Sequence, residues 1–107
     1  MNSDQLGLFE EQILTMVAIL GEDAYGNAIV DEIKNQLQKS VNLSSVHVTL
    51  YRLEDKGLVR SEMGGVTSKR GGRRKRIFTI TNAGIALLRN LKESREQLWK
   101  LVPQFKM

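Results

Sequence analysis

The chain has 107 residues and a formal net charge of +4, with 41% hydrophobic and 26% charged residues. This length fits one domain with one modest core, and the composition is that of an ordinary globular chain rather than a disordered one. The sequence has no cysteine, which excludes disulfides and thiolate metal sites, and no apolar run of the roughly 20 residues that a transmembrane helix needs. We therefore expect a cytoplasmic protein with neither a metal nor a membrane as partner.

Two amphipathic helices are predicted in the first part of the chain. Residues 8–20 carry an apolar stripe wide enough to contact more than one neighbour, and Gly21 ends this helix. Asp23 is placed to cap a second helix over residues 24–38. The apolar positions are Ile13, Leu14, Val17, Ala18 and Leu20 in the first helix, and Ile29, Val30, Ile33 and Leu37 in the second.

A third helix is predicted over residues 45–56, after a short connection. Ser44 or Ser45 is its expected N-cap, and Gly57 ends it in a left-handed conformation. The residues on its inward apolar face are Val46, Leu50 and Leu53. The residues expected to face outward are Ser45, Val48, Thr49 and Arg52.

After Gly57 the periodicity changes from helical to alternating. Residues 58–63 predict one strand, and Ile77, Phe78 and Ile80 mark a second strand. The connecting loop, residues 64–75, contains four glycines. Two strands joined by a long loop after three helices predict a winged helix.

Positive charge is concentrated around this loop. Between Arg60 and Arg76, seven basic residues stand against one acid, Glu62, and this local charge of +6 leaves −2 for the rest of the chain. A basic patch on a glycine-rich loop suits a polyanion, although a solvated loop is the alternative. Arg76 alternates with the strand, which leaves a structural role open. The residues expected to contact phosphates or the minor groove are Lys69, Arg70, Arg73, Arg74 and Lys75.

The third helix of a winged helix enters the major groove of DNA. The Arg52 side chain can donate hydrogen bonds to a guanine or to a phosphate. The alternative is that Arg52 forms an ion pair with Glu54 or Asp55 on the helix surface. Thr49 suits a phosphate or a thymine methyl group. The only histidine, His47, either donates to a phosphate or packs beside Tyr51.

A last helix is predicted over residues 82–102, with Thr81 as its N-cap. Gly84 lies in the first turn, where a missing side chain permits close packing, and Pro103 disfavours helix at Val102. The apolar residues follow 4-3 spacing if Ser94 fills the vacant position. They exceed what one small domain needs, so part of this helix is predicted to be a homodimer contact. The predicted dimer residues are Leu87, Leu91, Leu98, Leu101 and Phe105.

The order of these segments resembles the PadR family of bacterial winged-helix transcriptional regulators, in its short form with a single C-terminal helix. Four segments carry the resemblance in the family's order. They are Tyr25-Gly26, TLYRLEDKGLV at residues 49–59, GGRRKR at residues 71–76 and TITNAG at residues 79–84.

The resemblance implies a mainly α (α+β) winged helix-turn-helix with a three-helix head, a two-stranded β-wing and a long C-terminal helix for dimerisation. Residues 1–81 are then the DNA-binding domain and residues 82–107 the dimerisation helix of one compact unit. The implied function is that of a homodimeric, sequence-specific repressor of transcription that binds a palindromic operator in double-stranded DNA and needs no cofactor. Because some members bind flat aromatic molecules through a tryptophan between C-terminal helices, Trp99 is a candidate contact for an aromatic effector. The alternative roles for Trp99 are a residue of the dimer core and a partly exposed rim residue.

The sequence contains no catalytic signature. The single histidine has no triad context, and no HExxH, Walker or Rossmann motif occurs, so we do not expect an enzyme. The main alternative is a winged-helix module for protein interaction or ligand sequestration that does not bind specific DNA. A chromosome-binding protein with little sequence preference is a third hypothesis. The basic wing, together with Thr49 and Arg52, favours the regulator.

Overall fold

The computed structural model describes residues 6–64 and 74–104. The helices in these residues are α1 (Leu8–Leu20), α2 (Gly26–Leu37), α3 (Leu43–Asp55) and α4 (Asn82–Lys100), and a short 3-10 turn, Gly21–Asp23, joins α1 to α2. The strands are β1 (Val59–Met63) and β2 (Arg76–Ile80), which pair antiparallel from Val59–Ile80 to Met63–Arg76. This mainly helical winged helix confirms the predicted fold class.

The hydrophobic core surrounds α1, which contacts α2, α3, β2 and α4. The predicted inward face of α3 is confirmed, because Val46, Leu50 and Leu53 are each 0% exposed. Two predictions about the other faces were wrong. Ala18 is exposed and Met16 is buried in its place, while Leu37 is 39% exposed because it ends α2 beyond the packed part of that helix.

Two predicted caps were also wrong. Asp23 lies in the 3-10 turn, and α2 begins after Tyr25 without a side-chain cap. The α3 helix begins two residues earlier than expected, because the Asn42 side chain accepts a hydrogen bond of 2.7 Å from the Ser45 N–H. An asparagine in this position satisfies one of the unpaired N–H groups of the first turn, so neither Ser44 nor Ser45 is the cap.

The joint between the wing and α4 agrees with the sequence prediction. Gly57 has a φ of 76°, as a left-handed helix end requires. The Thr81 hydroxyl accepts from the Gly84 N–H at 3.1 Å and donates to the Gly57 carbonyl at 2.8 Å. A Cβ at Gly84 would overlap the Leu58 carbonyl and lie 2.6 Å from a side-chain carbon of Ile80, so the close packing predicted there is confirmed.

Ion pairs attach α1 to elements on both sides of it. Glu10 lies 3.0 Å from the Lys56 ammonium, and Arg95 of α4 donates two hydrogen bonds to the Glu11 carboxylate. Burial raises the pKa of Glu10, but the hydrogen bond from the Gly7 N–H and the cations Lys56 and Arg52 outweigh it and lower this pKa below its usual value. The lowered pKa keeps Glu10 ionised, and the two ion pairs bind α1 to the end of α3 and to α4.

No single helix within residues 6–64 and 74–104 is long and apolar enough to cross a membrane. The segments 8–23 and 26–37 reach the length and apolar composition of a membrane span only when they are counted together. They are bent by 119° to each other.

Candidate nucleic-acid interface

The outward face of α3 presents three of the four predicted DNA-contacting residues. Ser45 and Arg52 are exposed, and Val48 is 51% exposed. The expectation that Thr49 also faces outward was wrong, because its side chain is 5% exposed. Thr49 lies three residues after Val46, so it belongs to the same buried stripe as Val46, Leu50 and Leu53.

A groove of about 590 Å³ runs along this face of α3. Its lining combines short polar side chains with one cation. The lining residues are Phe9, Ser40, Val41, Asn42, Ser44, Ser45, Val48, Thr49 and Arg52. Within the described residues, no salt bridge joins Arg52 to Glu54 or Asp55, the alternative partners weighed from the sequence. The Arg52 side chain lines the polar groove and interacts electrostatically with Glu10 of α1.

The aromatic residues of α3 support the wing. His47 lies with its ring centroid 6.4 Å from that of Tyr51, so the packing of these two rings, one of the alternatives for His47, is confirmed. Tyr51 meets Phe78 of β2 edge-on at 5.9 Å and is 46% exposed, which places it at the rim of the core. Whether His47 also contacts DNA stays an open hypothesis.

The described cations of the wing have different environments. Arg74 is exposed, whereas Lys75 is partly buried with its ammonium 3.9 Å from the centroid of the Tyr25 ring. Arg76 donates a hydrogen bond of 3.0 Å to the Ser61 hydroxyl, which itself donates to Glu54 at 2.8 Å. Arg76 thus has a structural contact, as its alternation with the strand allowed. The predicted DNA contacts Lys69, Arg70 and Arg73 lie outside the described residues.

The base of the wing adjoins α3. A small cleft of about 210 Å³ separates the start of α2, α3 and β2. Its lining includes His47 and Tyr51 from α3, and Lys75 and Arg76 from the wing. The cleft places the start of β2 beside His47 and Tyr51. These two residues precede the exposed Val48 and Arg52 directly in α3, so the exposed face of α3 and the base of the wing are neighbouring parts of one surface. The role of Tyr25 in this surface was missed, because sequence spacing carries no signal for a contact between residues 25 and 75.

The second surface of interest is the C-terminal half of α4. Leu98, Trp99 and Leu101 are 66%, 73% and 78% exposed, and a groove of about 740 Å³ runs beside them. The groove is lined by Arg95, Glu96, Leu98, Trp99, Lys100 and Val102. Of the other predicted dimer residues, Leu87 packs against the core of its own chain, Leu91 is partly buried and Phe105 lies outside the described residues.

The part of the chain that the structure describes contains no group of three or more histidine, aspartate or glutamate side chains placed to hold a metal ion.

The family model of the PadR-like transcriptional regulators matches residues 13–90. No curated protein shows significant similarity to the sequence. A PadR family transcription regulator from Clostridium difficile has 26% identity and a TM-score of 0.67, over 85% of this chain and 92% of that chain.

Two further solved structures show the fold at lower identity. A PadR-like transcription factor from Bacteroides fragilis has 22% identity and a TM-score of 0.72, over 89% of this chain and 86% of that chain. A PadR-like transcriptional regulator from Bacillus cereus has 20% identity and a TM-score of 0.72, over 89% and 87% of the two chains.

Proposed function

The chain belongs to the PadR-like family of transcriptional regulators, and from this premise we propose that it is a homodimeric repressor that binds a palindromic operator in double-stranded DNA. The observation that carries the proposal is the single surface formed by the exposed face of α3 and the base of the basic wing. This surface combines a rigid helix with a concentration of cations, the two parts that base recognition and phosphate binding require. Because such a regulator must reach the chromosome, the proposal includes a cytoplasmic location.

Affinity and specificity have different sources in this proposal. The wing cations neutralise phosphates and contribute binding that does not depend on sequence. Specificity comes from Ser45, Val48 and Arg52, which α3 exposes beside the polar groove. Thr49 is 5% exposed, so its part is to shape that groove rather than to reach a base.

The dimer contact is proposed for the C-terminal half of α4. Three large apolar residues of this segment, Leu98, Trp99 and Leu101, are exposed in the single chain among charged and polar neighbours. Apolar exposure of this extent is typical of a surface that a partner covers. In the dimer, residues 1–81 form the DNA-binding domain and residues 82–107 the dimerisation helix.

Selection of bound sequences from random DNA tests the proposal. The purified protein should enrich a palindrome with two half-sites, because a two-fold symmetric dimer presents two copies of α3. Uniformly weak binding without an enriched sequence would contradict the proposal. That result would favour the winged-helix module for protein interaction or ligand sequestration.

An aromatic effector is the regulatory part of the proposal, and the groove beside Trp99 is its proposed site. A planar aromatic cation should quench Trp99 fluorescence saturably, because the groove offers the face of an indole ring, to which a cation is attracted. Replacing Trp99 by alanine should then weaken binding about tenfold in calorimetry, the effect of losing one desolvated aromatic contact. Equal affinity of wild type and variant would remove Trp99 from the effector site.

A further inference from the structure

The Lys75 side chain lies against the head of its own chain instead of projecting into solvent. Its ammonium is 3.9 Å from the centroid of the Tyr25 ring, well within the roughly 6 Å over which a cation is attracted to an aromatic face. The preceding residue, Arg74, is exposed. These two consecutive cations therefore have different environments. Lys75 contacts an aromatic ring of its own chain, and Arg74 is exposed.

Tyr25 is itself held firmly. It precedes the first turn of α2, its N–H donates to the Asp23 carbonyl at 3.0 Å, and its own carbonyl accepts from Ile29 at 3.0 Å. The adjacent carbonyl, that of Ala24, accepts a hydrogen bond of 2.8 Å from the N–H of Phe78 in β2. The wing is thus attached to this short segment at two points three residues apart, Lys75 and Phe78. Phe78 is also buried in the core, so the Lys75 contact adds a restraint at the end of the hairpin that adjoins the loop.

These attachments also set the wing relative to α3. Tyr25 and Lys75 line the same cleft as His47 and Tyr51 of α3. The backbone of Lys75 accepts a hydrogen bond from the Gly64 N–H, so the two ends of the connecting loop meet at this residue. The position of the two described ends of the loop, Gly64 and Lys75, therefore depends on where Lys75 is held.

We infer that Tyr25 is a positioning residue for the wing: its ring holds Lys75 and thereby fixes, relative to α3, the point at which the connecting loop ends and β2 begins. The consequence for DNA binding rests on the proposed function, whereas the contact itself does not. A wing that is already oriented pays less ordering entropy when it binds phosphates. Loss of the Tyr25 ring should weaken binding to all DNA and leave the number of phosphate contacts unchanged.

Nuclear magnetic resonance without DNA tests the contact directly, with Tyr25→Leu as the variant and Tyr25→Phe as the matched control. Ring current should shift the ε-methylene protons of Lys75 upfield in wild type and in Tyr25→Phe. In Tyr25→Leu this shift should vanish, and the heteronuclear NOE of the amides of Arg74, Lys75 and Arg76 should fall. Unchanged Lys75 shifts, or a lost shift with equally rigid amides, would overturn the inference.

A second variant keeps the test decisive if Tyr25→Leu does not fold. Lys75→Ala leaves the core and the ring intact and removes only the group that the ring holds. It should mobilise the amides of Arg74 and Arg76 in the same measurement. Amides as rigid as those of wild type in this variant would also overturn the inference.

DNA binding supplies the functional test. Tyr25→Leu should bind random-sequence DNA about tenfold more weakly in a dimer, the effect expected from two lost cation–π contacts, while Tyr25→Phe stays near wild type. The slope of log affinity against log salt should not change, because no phosphate contact is removed. A shallower slope in Tyr25→Leu would contradict the inference. Absence of DNA binding by the wild type would instead reject the proposed function, and the resonance experiment would still decide the role of Tyr25.

Discussion

Replacing Arg73 and Arg74 by alanine should make the slope of log affinity against log salt shallower by roughly two to four units, on operator and on random DNA alike. Each neutralised phosphate contributes about −0.9 to this slope, and a dimer loses up to four such contacts. Arg74 is exposed two residues before β2 begins, and Arg73 precedes it in the sequence of the basic loop. Phosphate neutralisation requires charge rather than a fixed side-chain orientation, so we expect these cations to contact phosphates rather than base edges.

Arg52→Ala should behave differently in the same salt titration. Arg52 projects from a rigid helix at the edge of the α3 groove, where its guanidinium can meet a guanine in a fixed orientation. Its loss should cost roughly 1–3 kcal/mol per half-site on the operator and much less on random sequence.

Controls separate these effects from a general change in charge. The variant Lys34→Ala/Lys92→Ala removes the same number of exposed charges from α2 and α4 and should leave the slope near that of wild type. If the Arg73 and Arg74 variant keeps the wild-type slope, the loop is merely solvated. If Arg52→Ala weakens operator and random DNA equally, α3 anchors phosphate without reading bases.

Replacing Leu98 and Leu101 by lysine should convert the dimer into monomers or unfolded chains, with a dimer dissociation constant raised at least about a hundredfold. Both leucines are more than half exposed in the single chain, at 66% and 78%. A dimer that covers them would have to bury unpaired ammonium groups in the variant, which is strongly unfavourable. Sedimentation velocity measures the change directly.

The matched control for the dimer adds the same charge to the same helix. Asn90→Lys/Gln97→Lys places lysines at exposed polar positions and should remain dimeric. Trp99 gives a second readout, since its fluorescence should shift to the red when the proposed contact opens. A folded dimer in the Leu98 and Leu101 variant would remove α4 as the dimer contact.

Much of this fold is predictable from the sequence because its signals are local. Helical periodicity places α1 at residues 8–20, as observed, and Gly57 and Thr81 mark a helix end and a helix start through their own backbone and side-chain chemistry. The basic loop is equally a property of the sequence, since charge concentrated in consecutive residues needs no fold to bring it together. The family resemblance rests on the same local segments.

The tertiary structure decided whether the residues that border the apolar face of each element are buried or exposed. A helical period shows which side of α3 is apolar, but the neighbours that pack against it set the width of the buried stripe, and this width placed Thr49 inside. In the sequence, Lys75 is one more loop cation, and the alternation of Arg76 with the strand only leaves a structural role open. Their contacts with Tyr25 and Ser61 exist only because folding brings residues 15 to 50 positions apart into one cleft and one sheet. Local patterns therefore determined the elements and the charge of this protein, whereas packing between elements determined which side chains remain exposed on the surface.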